Sequence, residues 1–226
     1  MFGMRDKVVI ILLSFMVLSV SGFLNAEESE NEKPFSVKEG IYLELFGVYN
    51  QVGGDFDDSS VLVSFPTIYD IPDVDPGIGF GLALGRRYDK GAIEVSYQRS
   101  THDTTSSFIG VGEQKGYLNT LDLNFKIDVF AKEKIRPHIL LGFGFPWLTI
   151  TDSQVELYGV KNKDETFSGL SGNIGFGLSQ FMNPQMCVTA GVMYRYMMFT
   201  SVDGLSIEDD LSAGGLSFRL GLSFTF

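Results

Sequence analysis

Apolar and polar residues alternate with a period of two along most of this chain. The last segment is the clearest: Leu216, Phe218, Leu220, Leu222, Phe224 and Phe226 fall on one face, while Ser217, Arg219, Gly221, Ser223 and Thr225 fall on the other. Successive side chains of a strand point to opposite faces, so the pattern predicts β-structure with one apolar face. Seven earlier segments repeat it. Near 39–50, Ile41, Leu43, Leu45 and Tyr49 oppose Glu44 and Asn50, and near 76–87, Ile78, Phe80, Leu82 and Leu84 alternate with Gly and Ala. Near 91–101, Ile93, Val95 and Tyr97 oppose Glu94, Ser96 and Gln98; near 116–130, Leu121, Leu123, Phe125, Ile127 and Val129 oppose Thr120, Asp122, Asn124, Lys126 and Asp128. The fifth segment, near 135–149, sets Ile139, Leu141, Phe143, Phe145 and Trp147 against His138, Gly142 and Gly144. The sixth (169–181) and seventh (185–199) follow the same rule, with Asn173 and Arg195 on their polar faces.

The connections carry a second signal. They are expected to be long at 51–75, 102–115, 150–168 and 200–213, and short at Tyr88–Lys90, Ala131–Lys134 and Met182–Pro184. Loops at one end and turns at the other are the layout of an up-and-down barrel, whereas Greek-key crossings break that rhythm. Each segment also reaches the ~9–11 residues with which a tilted strand crosses hydrocarbon. Backbone groups in hydrocarbon find no water, so such a sheet must close on itself. The expected fold class is all-β: an eight-stranded antiparallel up-and-down transmembrane β-barrel over residues 39–226.

Alternation alone does not say which face points outward, because a soluble eight-stranded barrel buries its apolar face. The polar faces here are rich in Gly, Ser, Asn and Thr, which suit a narrow interior better than a water-exposed wall. The apolar faces carry more Phe, Leu and Ile than one small bore holds at normal packing density. Aromatics mark both ends of the strands, with Tyr49, Trp147, Tyr196 and Phe199 at one rim and Tyr88, Phe130, Phe181 and Phe226 at the other. Aromatic girdles of this kind sit at lipid–water boundaries.

Ahead of the barrel, Arg5 and Lys7 precede the apolar run Val8–Val20, and small or polar residues lead to Ala26. Residues 1–26 read as a cleaved secretory signal peptide, the apolar run being shorter than the ~20 residues of a membrane helix. Residues 27–38 read as a flexible polar lead. The lone Cys187 forms no internal disulfide, and the net charge of −11 argues against nucleic acid as a partner.

The terminal segment SFRLGLSFTF resembles the C-terminal assembly signal of bacterial outer-membrane barrels: a final Phe226 preceded at every second position by Phe224, Leu222, Leu220 and Phe218. With the leader and the eight-strand layout, nearly the whole chain is similar to the small barrels typified by OmpX, OmpW and the OmpA membrane domain. The resemblance implies residence in the outer membrane, among its lipids, and recognition of the last strand by the barrel-assembly machinery.

Polar faces turned inward put Glu44, Glu94, Asp122, Lys126, Asp128, Arg195 and Arg219 into one lumen, where charges must pair. Eight strands leave a bore that side chains just fill, so a structural plug is expected rather than a pore. Acidic runs at Asp55, Asp57 and Asp58 and at Glu208, Asp209 and Asp210 suggest an external ligand such as a hard cation, although neither has the spacing of a calcium-binding loop. Pro146 deletes one ladder bond and marks either a local bulge or a strand break that opens a lateral gap. His102, near Asp103 and Ser106, is the one group of residues that hints at lipid-modifying chemistry, while His138 reads as a lumen or rim hydrogen-bonding residue. The favoured function is a structural or surface-interaction barrel working through its loops, with no catalytic centre, metal or cofactor. The alternative is a conduit for small hydrophobic molecules, as inferred for the OmpW group; an outer-leaflet lipid-modifying enzyme is third.

Overall fold

The structure, a computed structural model, describes residues 35–57, 60–64, 67–106, 114–130, 133–151 and 164–226, without the side chains at 61–69 and 208–209; the expected signal peptide lies outside the described residues. Eight long strands are present: β1 (Gly40–Asn50), β2 (Gly77–Tyr88), β3 (Gly91–Thr105), β4 (Gln114–Asp128), β5 (Ile135–Ile150), β6 (Glu165–Phe181), β7 (Met186–Val202) and β8 (Leu205–Thr225). Each pairs antiparallel with the next, and β1 also pairs with β8, so that Leu43 faces Leu84 on one side and Phe224 on the other. The ring therefore closes, and none of its eight strands is an edge strand.

The faces divide as the alternation predicts. Leu45 and Phe80 are 62% and 68% exposed, and Leu84, Ile127, Phe143 and Ile174 share that outer surface, while Glu44, Ser96, Thr120 and Asn124 are buried. A continuous apolar belt of this extent is not stable against water, so the wall requires hydrocarbon. Inward-facing glycines open the bore for larger neighbours: a Cβ at Gly81 would collide with the Phe46 ring, and one at Gly144 with the Asp122 carboxylate.

The outer end departs from expectation in three ways. The connection expected at 200–213 is a two-residue turn, Asp203–Gly204, with φ of 51° and 80°. Asp-Gly accepts positive φ at both positions, the geometry that matches strand twist in a tight hairpin, so β8 begins at Leu205 and the acidic run at 208–210 lies on a strand. Second, strands of 15–21 residues overshoot the membrane on this side, and the wall inverts its polarity there. Thr101, Asp103, Thr105 and Lys115 point outward, while Leu118, Leu148, Ile150, Phe167, Met197 and Leu211 fill the interior. Water outside reverses the chemistry that hydrocarbon imposes lower down. Third, Phe199 is not a girdle residue: it is buried edge-on to Phe56 and Phe167. Phe56 descends from the 3₁₀ turn Gly54–Phe56 of the first connection. A register shift between Phe199 and Ser201 turns Val202 into the same cluster.

At the turn end, Tyr88, Phe130 and Phe226 are exposed as expected, but Phe181 is buried inside the mouth against Phe35. Of the lead expected to be flexible, residues 35–38 are described. They cross this mouth, with Val37 packed against Phe181 and Cys187 and the Lys38 amide donating to the Pro184 carbonyl at 2.9 Å. Pro146 stays in register with Thr120 of β4, whereas the β5–β6 ladder lacks pairs for Phe145 and Pro146 between Gly144↔Ser171 and Trp147↔Ser168. The register on either side is unchanged, so the interruption is local.

Candidate functional site

The lumen gathers all seven charged residues expected there, in separate layers. Glu44 of β1 and Glu94 of β3 lie at the centre, both essentially unexposed. Lys126 of β4 approaches them at 3.2 and 2.7 Å, and Arg219 of β8 at 2.8 and 3.0 Å, so two carboxylates meet two cations. Tyr42 donates to Glu94 at 2.5 Å and Thr189 to Glu44 at 2.7 Å. The Arg219 guanidinium lies 3.7 Å from the Phe46 ring centroid. Neutral, hydrogen-bonded clusters of this kind are how charge is tolerated away from water.

The next layer outward is the Asp122–Arg195 pair at 2.7 Å. Asn173 bridges it, accepting from Arg195 Nε at 3.0 Å and donating to Asp122 at 3.1 Å, while Thr120 donates to the other carboxylate oxygen. Toward the turn end, Asp128 is held at 3.5 Å by Arg136, which also donates to the carbonyls of Asp89 and Glu133. Arg87 is buried nearby, 5.0 Å from both the Tyr42 and Phe181 ring centroids.

Arg87, Arg136 and Tyr42 were missed by the sequence reading, yet each continues an inward phase by one step: Arg87 follows Gly85, Arg136 precedes His138 and Tyr42 precedes Glu44. His138 faces the lumen as expected, its Nδ1 3.4 Å from the Ser179 hydroxyl.

The structure separates His102 from Asp103. Strand alternation sends His102 inward and Asp103 outward, where Asp103 pairs with Lys115. His102 Nδ1 donates to the Asp75 carbonyl at 2.7 Å, and Nε2 lies 2.8 Å from the Ser100 hydroxyl, so both ring nitrogens are taken without Ser106. In a neutral ring the Ser100 hydroxyl is then the donor. That hydroxyl also accepts from Asn50 at 2.9 Å and, like His102, is sealed from solvent, so the pair anchors the first connection to the wall.

A cavity of about 30 Å³ lies beside Glu44, Lys126, His138, Thr189 and Arg219, roughly the room of one water molecule. In the acidic runs, Asp55 accepts from the Ser212 amide and hydroxyl at 2.6 and 3.1 Å, which ties the first connection to β8. Asp58 and the side chains of Glu208 and Asp209 lie outside the described residues, among which no three His, Cys, Asp or Glu side chains are grouped to hold a metal ion.

A family model described as outer membrane protein beta-barrel domain matches residues 11–224. No curated protein matches the sequence. Among solved structures, Neisserial surface protein A is similar at 12% identity and a TM-score of 0.55, over 83% of this chain and 97% of that one. A major outer membrane protein from Thermus thermophilus is similar at 10% identity and 0.52, over 82% and 99%. At these identities the likeness establishes the fold.

Proposed function

The chain belongs to the outer membrane protein β-barrel domain family and lies in the bacterial outer membrane, and from that premise we propose that it is a sealed barrel whose exposed outer end makes structural or surface contacts. The observation that carries this reading is the filling of the bore. The Glu44–Glu94–Lys126–Arg219 cluster spans its centre, and the apolar cluster around Phe56, Phe167 and Phe199 fills it above. Displacing either costs several kcal/mol, since one exposes unpaired ions and the other an apolar core. A structural neighbour described as a surface protein is consistent with work done at the outer end. The refolded barrel in planar bilayers is expected to give no discrete conductance steps; steady, reproducible steps would reject the seal.

A second reading rests on Pro146. The interrupted β5–β6 pairing lies next to Leu148 and Phe167 of the apolar cluster, which is where a small hydrophobic molecule would pass from lumen to lipid. Uptake of an apolar dye into proteoliposomes that falls on Pro146→Thr would move the assignment to this conduit.

Assembly is proposed to depend on the final strand. Leu222, Phe224 and Phe226 are exposed on its outer face, with the Phe224 and Phe226 rings 5.1 Å apart, which supports this reading. Deleting Phe226 is expected to reduce barrel inserted in cells several-fold while spontaneous refolding in detergent is unchanged. Equal loss in both assays would assign Phe226 to stability instead.

A further inference from the structure

On the lipid-facing wall, β3 changes from Ile93 and Val95 through Tyr97 to Arg99, and then to Thr101 and Asp103, which places Arg99 where hydrocarbon gives way to water. Its guanidinium stacks 4.6 Å from the centroid of the Tyr117 ring. Arg99 sits across from Asn119, and Asn119 across from Trp147. Tyr97 donates to Asn119 at 2.9 Å and lies 6.1 Å from Trp147, ring to ring, so the floor beside the guanidinium is already hydrogen-bonded and rigid.

A second lipid-facing arginine, Arg86, pairs across the ladder with Ile93 and stacks on Tyr88 near the turn end. From Ile93 to Arg99 is ~20 Å along the strand and ~15 Å along the membrane normal at a ~40° tilt. With both stems reaching away from the centre, the two guanidiniums bracket a ~25 Å apolar band. Among the described residues no carboxylate pairs with Arg99, and Asp103 above it is engaged by Lys115. A cation at this level, stacked and with no carboxylate partner among the described residues, is complemented by the group that membrane lipids carry at the same height, and a planar guanidinium matches phosphate with two parallel hydrogen bonds.

We infer that Arg99, on its platform of Tyr117, Tyr97, Asn119 and Trp147, binds the phosphate of a lipid headgroup in the outer leaflet. Trp147 is the chain's single tryptophan and reports on this site alone. In dodecyl maltoside micelles, phosphatidic acid brominated near its headgroup is expected to quench Trp147 at about tenfold lower concentration than equally brominated diacylglycerol. Arg99→Gln removes that preference, Arg99→Lys keeps part of it, and Tyr117→Leu, which deletes only the stacking partner, weakens it. Excess sodium phosphate leaves the quenching unchanged. An Arg99→Gln barrel that folds and still prefers the phosphorylated lipid overturns the assignment, as does full competition by sodium phosphate. If Arg99→Gln does not fold, an unchanged preference in Tyr117→Leu overturns it equally.

Discussion

Arg219→Met is expected to lower the unfolding free energy of the refolded barrel by about 3–5 kcal/mol, read as the shift of its urea midpoint in detergent or thin bilayers. Arg219, like Lys126, touches both Glu44 and Glu94, and its loss leaves Lys126 as the one cation against two fully buried carboxylates. Most of the cost comes from the charges left behind rather than from the bond removed. Replacing the whole quartet with neutral side chains, Glu44→Gln, Glu94→Gln, Lys126→Met and Arg219→Met together, is therefore expected to recover much of the loss. A single substitution that lowers the unfolding free energy by less than about 0.5 kcal/mol would show that water reaches the cluster.

Phe56→Ala is the second large effect. The ring is fully buried, 5.4 Å from both Phe167 and Phe199 centroid to centroid, and truncating a ring in such a place costs about 3–5 kcal/mol. Because Phe56 belongs to a connection and not to the wall, the loss falls on local opening. Protease cleavage within residues 51–76 is expected to accelerate by about a hundredfold or more, while the strands stay protected. Unchanged cleavage would mean that Asp55 on Ser212 and His102 on Asp75, and not the aromatic cluster, hold this segment down.

The barrel itself was legible because period two is imposed directly by hydrocarbon outside and a narrow bore within. Leu45 against Glu44, and Phe80 against Gly81, could be assigned without coordinates. The outer end was not legible by the same rule. Above the membrane the environment of the wall changes from lipid to water while the strand continues, so Phe167 and Phe199 turn inward where Phe176 and Tyr194 turn outward. Reading all aromatics near strand ends as girdle residues merged these two zones. The missed hairpin has a plainer cause: the acidic run after Asp203-Gly204 suggested a solvated loop, although Asp-Gly between apolar residues is itself a hairpin signal. The lumen charges were foreseen as a set, but not their division. Which carboxylate meets which cation depends on stagger between strands far apart in sequence, such as Glu44 with Arg219, and no local pattern encodes it.

The β7–β8 hairpin carries the wall past the bilayer as the blade of a continuous sheet, since β6 stays paired with β7 as far as Phe167↔Val202. Any contact made there is offered already shaped, without the ordering cost that a loose loop pays on binding. Its freedom to change is also halved: Ile207, Leu211 and Ala213 are committed to the core, so selection can rewrite what the blade presents only at alternate positions such as Ser206 and Asp210.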